Sequence, residues 1–211
     1  MNRNTSVRYP GGRGAIWGMV AYVTGFMVSL ALVSSRQSEL YSNVAIVVES
    51  SSYPLTELLT GAHTPLWKWA GLAFHNAHFV DVIFRGVPEY RQVMTSVDLL
   101  KQAGGPFLLL FLVPPLFLIA SGALTTRKAT ETTQLRFDLG GTGTSRFAFN
   151  GGIITLFGYL PLAIVGGIVF VLDIPGTGTM QVDLLKSWVL VGMIYPFIFG
   201  GIGGYLRFRS L

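Results

Sequence analysis

The sequence predicts an all-α membrane protein: four transmembrane helices, with an amphipathic helical segment in the first extracellular loop. Three observations carry that prediction. Hydrophobic residues make up 51% of the 211 and charged residues 12%, about half the charged share of soluble domains. Four charge-poor blocks recur, each near the ~20 residues an α-helix needs to cross the hydrocarbon core. Threading those blocks through a bilayer gathers Lys and Arg on one side.

Residues 1–13 form a polar tail carrying Arg3, Arg8 and Arg13, expected to be cytoplasmic. The first span covers 14–34. Its basic flank resembles that of a signal peptide, but the apolar run is longer than an h-region and no A-x-A site follows, so an uncleaved span is expected. Residues 35–104 make an outer loop. Within it, the run Val44 to Val48 is too short to cross and reads as a strand or an interfacial helix, residues 66–85 read as an amphipathic helix, and Ser96 to Gln102 looks helical.

The second span, 105–124, is interrupted by Pro114 and Pro115. A cytoplasmic loop, 125–150, is rich in Thr and Gly, and its alternation from Leu135 to Phe149 suggests a small hairpin. The third span, 151–172, contains Pro161; a short outer loop, 173–186, leads to the fourth, 187–206, which contains Pro196. Residues 207–211 end the chain as a second cytoplasmic tail.

The stretch Trp67 to Phe84 is apolar enough to cross by itself, and charge decides against it. With four spans, nine of the 15 Lys and Arg share the side of both termini, and six are spread over the longer opposite side. With five spans the division is seven against seven, and the positive-inside bias vanishes. Helical-wheel geometry agrees: Lys68, His75, His78, Asp81 and Arg85 fall within a sector of about 140°, opposite a face of Trp69, Leu72, Phe79 and Ile83. Such a stripe suits a helix lying against the membrane.

Cysteine is absent, which excludes disulfides, thiolate catalysis and Cys-based metal centres. His75, His78 and Asp81, spaced i, i+3, i+6, could offer two nitrogens and one oxygen to a divalent metal, with His63 folding back as a fourth ligand. The plainer alternative is a wet polar stripe in which Asp81 pairs with Arg85 at i+4. The H-E-x-x-H and G-x-S-x-G patterns of hydrolytic sites are missing. The Gly-Thr-Gly-Thr runs at Gly141 to Thr144 and Gly176 to Thr179 lack the P-loop lysine and read as turns. No catalytic activity is evident, and no cofactor is expected beyond that one metal option.

By these boundaries the spans contain no Asp, Glu, Lys, Arg or His, the groups on which ion-coupled carriers rely. They do carry packing signals. Gly192, Pro196, Gly200 and Gly204 recur every four residues along one ridge, and Ala163 with Gly167, and Gly14 with Gly18, offer matching flat patches. Pro114, Pro115, Pro161 and Pro196 read as kinks. The net charge of +5 sits beside apolar blocks, so anionic lipid headgroups are the expected partner, together with other membrane proteins or copies of itself. No basic cluster is dense enough to track phosphates, which excludes nucleic acid.

The pattern Ala15-Ile16-Trp17-Gly18-Met19-Val20-Ala21-Tyr22, taken with Trp67-Lys68-Trp69-Ala70-Gly71 and Asn76-Ala77-His78-Phe79-Val80, resembles small uncharacterised multi-pass membrane proteins of halophilic archaea. The likeness covers most of the chain and extends to the glycine-rich last span. It implies a membrane location and no particular activity. The basic charge departs from the acidic surfaces of halophile proteins and leaves a membrane-containing archaeal virus as a second source. The expected role is structural or accessory. The alternatives are a transporter or channel subunit using the proline-broken helices, and a metal-binding membrane enzyme.

Overall fold

A computed structural model describes residues 11–48, 51–60, 64–86, 94–127 and 153–209. The expected hairpin at Leu135 to Phe149, the first Gly-Thr-Gly-Thr run and His63 lie outside those residues. Among the described residues three helices are long and apolar enough to cross a membrane: Gly12–Ser35, Gly105–Thr126 and Leu184–Arg207. We label the first α1, whose full extent is Gly11–Ser35. The second opens as a 3-10 helix, Gly105–Leu112, and continues as α6, Val113–Arg127. The switch falls at Pro114 and Pro115, which lack the N–H that α geometry would use. The third is α8.

A fourth apolar helix, α7, covers Leu156–Val169. Its 14 residues rise about 21 Å, short of the ~30 Å hydrocarbon core. The expected third span to residue 172 therefore ends early, because Leu172 opens a strand instead. The periodicity at the end of that apolar block belongs to a sheet, with Leu172 and Ile174 buried and Asp173 exposed between them.

The expectation of an all-α fold is corrected by six strands among the described residues. All of them lie at the end of the bundle where α1 and α7 finish and α6 and α8 begin. After α1 come a short helix α2 (Gln37–Asn43) and the antiparallel pair β1 (Ala45–Val48) and β2 (Ser51–Pro54), then α3 (Leu55–Leu58). A four-stranded antiparallel sheet has the order β4-β3-β6-β5. It joins β3 (Val82–Arg85) and β4 (Met94–Val97) to β5 (Leu172–Ile174) and β6 (Gly178–Val182), so two distant loops close into one cap. The segment expected to be helical from Ser96 splits into the end of β4 and α5, Leu99–Ala103, started by the Asp98 carboxylate accepting from the Lys101 N–H.

Register explains the sheet. Val97, Val82 and Val182 line up across three strands, and Phe84, Met180 and Leu172 form the next row. All six side chains are buried, so cross-strand packing holds the cap to the bundle. The β5–β6 turn runs through the second Gly-Thr-Gly-Thr stretch, read above as turn chemistry. Gly176 takes φ 74 there, and a Cβ on Gly178 would lie on the carbonyl oxygen of Arg85.

The long helices pair through backbone contact. A Cβ on Gly18 would strike the Thr155 carbonyl oxygen, and one on Gly158 that of Ala15, which locks α1 to α7. Gly122 of α6 faces the Gly200 carbonyl, and Gly203 faces that of Ile119. Gly192, Pro196, Gly200 and Gly204 are all buried, so the ridge seen in the sequence packs within the chain. Gly122→Ala should therefore lower the melting temperature in detergent, at a cost of about 1–3 kcal/mol for overpacking against rigid backbone. Gly12→Ala, with nothing within 4 Å of the added carbon, should melt with the parent. Equal melting of both variants would refute the close contact of α6 and α8.

Candidate functional site: a buried histidine–tyrosine cluster

Helix α4 covers Leu66–Asn76, and every residue from Trp69 to Asn76 is buried. A helix covered on all sides is not an interfacial one. The amphipathic helix expected over 66–85 is thus corrected twice. It enters the bundle, and it stops at Asn76. There the Ala77, His78 and Phe79 N–H groups bond back to Ala73, His75 and Asn76, and Phe79 turns the chain with φ 60. Val82 onward then joins the sheet. Asn76, which breaks the apolar face of the wheel, ties this exit together. Its amide donates to the Val80 carbonyl, and its oxygen accepts from the Leu100 N–H.

Small residues let α4 in. A Cβ on Gly25 of α1 would crowd the Phe74 ring, and one on Gly71 would lie inside the Phe170 ring at the end of α7. The aromatic surround is edge-to-face: Tyr22 on Phe74 at 5.0 Å, Phe74 on His78 at 4.9 Å, and His78 on Tyr195 at 4.7 Å. Tyr22 lies about 16 Å from one end of α1 and ~20 Å from the other at 1.5 Å per residue, so the imidazoles reach the middle of the bundle.

Both histidines are fully buried and bonded at both nitrogens. His75 Nε2 pairs with the Tyr22 hydroxyl at 2.9 Å, and its Nδ1 with the Ser187 hydroxyl at 2.8 Å. His78 Nδ1 meets the Phe74 carbonyl at 2.8 Å, and its Nε2 meets the Tyr159 hydroxyl at 2.8 Å. The tautomer of His78 follows from its partners: a carbonyl only accepts, so Nδ1 carries the proton and Tyr159 donates to Nε2. His75 sits between two hydroxyls, either of which donates or accepts, so both neutral tautomers are satisfied. Gly166 lies over its bond to Tyr22, where a Cβ would meet the phenol oxygen.

The expected metal trio does not converge. Among the described residues no group of three or more His, Asp or Glu is placed to hold an ion. Asp81 pairs instead with Lys186 at 2.6 Å, which also corrects the expected Asp81–Arg85 pair: Arg85 is in β3. The four ring nitrogens have hydroxyl and carbonyl partners in place of a metal. Sequence reasoning missed Tyr22, Tyr159, Tyr195 and Ser187, which counted as ordinary members of apolar blocks. The available signal was the match between two histidines outside the spans and isolated hydroxyls inside them.

Burial pushes both imidazoles from 6.5 down to about 3, and at His78 the neighbouring His75 adds to the effect while the Phe74 carbonyl opposes it. The cluster is therefore neutral at pH 7, a hydrogen-bonded joint between α4 and three other helices.

These features define a helical-bundle protein with three helices long enough to span a membrane and a strand-built cap. The model of a family of unknown function, DUF7978, matches residues 1–210, and the chain belongs to that family. No curated protein and no solved structure matches it.

The depressed histidine values have a definite sign. Below 6.5 the unfolded chain takes up protons that the folded rings refuse, so their contribution is complete above 6.5 and is lost as the pH falls toward 3. Each ring should contribute about 1.4 kcal/mol per pH unit across that window. Denaturation in detergent from pH 8 to pH 4 should show this slope, reduced by half in His75→Gln. A slope unaltered by His75→Gln would contradict neutral burial.

Proposed function

We infer that this is an integral membrane protein of structural or accessory role, with its strand cap on the outer side and both termini cytoplasmic. The observation that carries the reading is the closed polar core. Each imidazole nitrogen is already bonded to a protein group, and three of the four bonds reach another helix. Met27, Leu109, Leu116, Phe157 and Ile168 are each more than half exposed on the helices. In water such side chains form a large adhesive surface; in lipid they match the acyl chains. The cap offers Arg85, Ser96 and Asp173 outward, a polar surface for another membrane protein or a second copy, while the basic flanks meet anionic headgroups.

Two measurements test this. Reconstituted into liposomes, the protein should leave Na+, K+ and proton leak at the level of empty vesicles. A protein-dependent flux reduced by Pro161→Ala would move the assignment to the transporter class. Because the chain has no cysteine, single-cysteine labelling is clean. Ser96→Cys should react with a membrane-impermeant maleimide in intact cells, and Asn4→Cys only after permeabilisation. The opposite pattern would invert the topology.

A further inference from the structure

The last helix does not keep one pitch. After the α turn at Leu184–Lys186, Ser187–Ile194 and Pro196–Gly200 take wide π turns, and Gly201–Arg209 returns to α. A π turn is ordinarily a single local bulge, frequent at functional sites, because its i→i+5 bonds are less favourable than those of the α-helix. Here the wide geometry matches the sequence. The buried positions are Ser187, Val191 with Gly192, Tyr195 with Pro196, Gly200 with Gly201, and Gly203 with Gly204, intervals of four to five through the wide stretch and of three where the α pitch returns. An α pitch of 3.6 residues would swing Gly204 about 100° away from Ser187 over that length.

The wide stretch is held at both ends by contacts outside itself. Ser187, its first residue, bonds His75 Nδ1 at 2.8 Å; Gly200, its last, lies against Gly122 of α6. Between them Tyr195 packs on the His78 ring, and Pro196 has no N–H to lose when the pattern shifts. The cap feeds directly into the first anchor. Strand β6 leads to Asp183, whose N–H bonds the Asp81 carbonyl. Lys186, the residue before Ser187, pairs with the Asp81 carboxylate.

We propose that α8 is a two-register element, kept in its wide form by the Ser187–His75 hydrogen bond and able to tighten to α geometry when that bond is released. Tightening turns residues 187–199 relative to Gly200 and moves Tyr195 off His78. It therefore couples the cap, through Asp81 and Lys186, to the far half of the bundle. The device is independent of what the cap binds.

A disulfide reports the register. A Cβ on Gly192 would sit 3.6 Å from that of Ala163 on α7, within the roughly 3.5–4.5 Å that a disulfide requires, and the Leu160 side chain beside it is flexible. Ala163→Cys with Gly192→Cys should oxidise almost completely in an otherwise unchanged chain. Adding Ser187→Ala should lower the yield about threefold or more, and Ser187→Thr, which keeps the hydroxyl, should restore it. Asp81→Asn, which cuts only the exposed tie, should lower it by a smaller factor and serves if Ser187→Ala does not fold. Yields unchanged by Ser187→Ala, or by Asp81→Asn where Ser187→Ala does not fold, would overturn the proposal, as would a loss that Ser187→Thr fails to restore.

Discussion

A buried imidazole must find partners for both of its nitrogens, and two adjacent ones must find four. That requirement sets the depth and rotation of α4. An unpaired buried polar atom costs about 1–3 kcal/mol, so the helix rests where Tyr22, Ser187 and Tyr159 are all in reach, its own Phe74 carbonyl serving the fourth nitrogen. Those hydroxyls come from α1, α8 and α7. One short segment thereby fixes three longer ones against each other, and apolar packing alone would leave their relative rotation loosely specified.

The glycines and the histidines solve parts of the same problem. Where helices meet directly, as at Gly18 with Thr155 and Gly122 with Gly200, the missing Cβ atoms bring backbones into contact. Where α4 intervenes, glycines make room for rings instead: Gly25 for Phe74 and Gly71 for Phe170. Gly166 clears space for a hydrogen bond, that between Tyr22 and His75. Substituting such a glycine disturbs polar satisfaction as well as packing, so its side of the bundle tolerates less than a hydrocarbon contact would.

Three apolar blocks, the change of helix geometry at Pro114 and Pro115, and the small-residue ridge were legible because each is local. Length marks a span, a missing N–H marks a change of helix geometry, and four-residue spacing marks a face. The cap was not legible for the converse reason. Val82 is a strand residue only because Val97 and Val182 flank it, one of them 100 residues away. Read by itself, Val82-Ile83-Phe84-Arg85 continues the helical wheel of α4. The site was half legible. His75 and His78 stood out, but charge and polarity place such residues at a surface, whereas hydroxyls spaced across three other helices bring them inside.

The short α7 and the buried α4 are best understood together. At about 21 Å, α7 cannot line a full membrane thickness, and its end at Phe170 is where α4 begins to pack. Phe170 meets Trp67 at 6.0 Å and His75 at 5.6 Å, while Tyr159 near the other end of α7 holds His78. Helix α4 thus packs chiefly along α1 and reaches α7 through these ring contacts and the His78–Tyr159 bond. A segment brought in from a loop can do this only if its polar groups are neutral and paired. The deeply buried imidazoles are therefore a consequence of building part of the bundle from a segment that does not itself span.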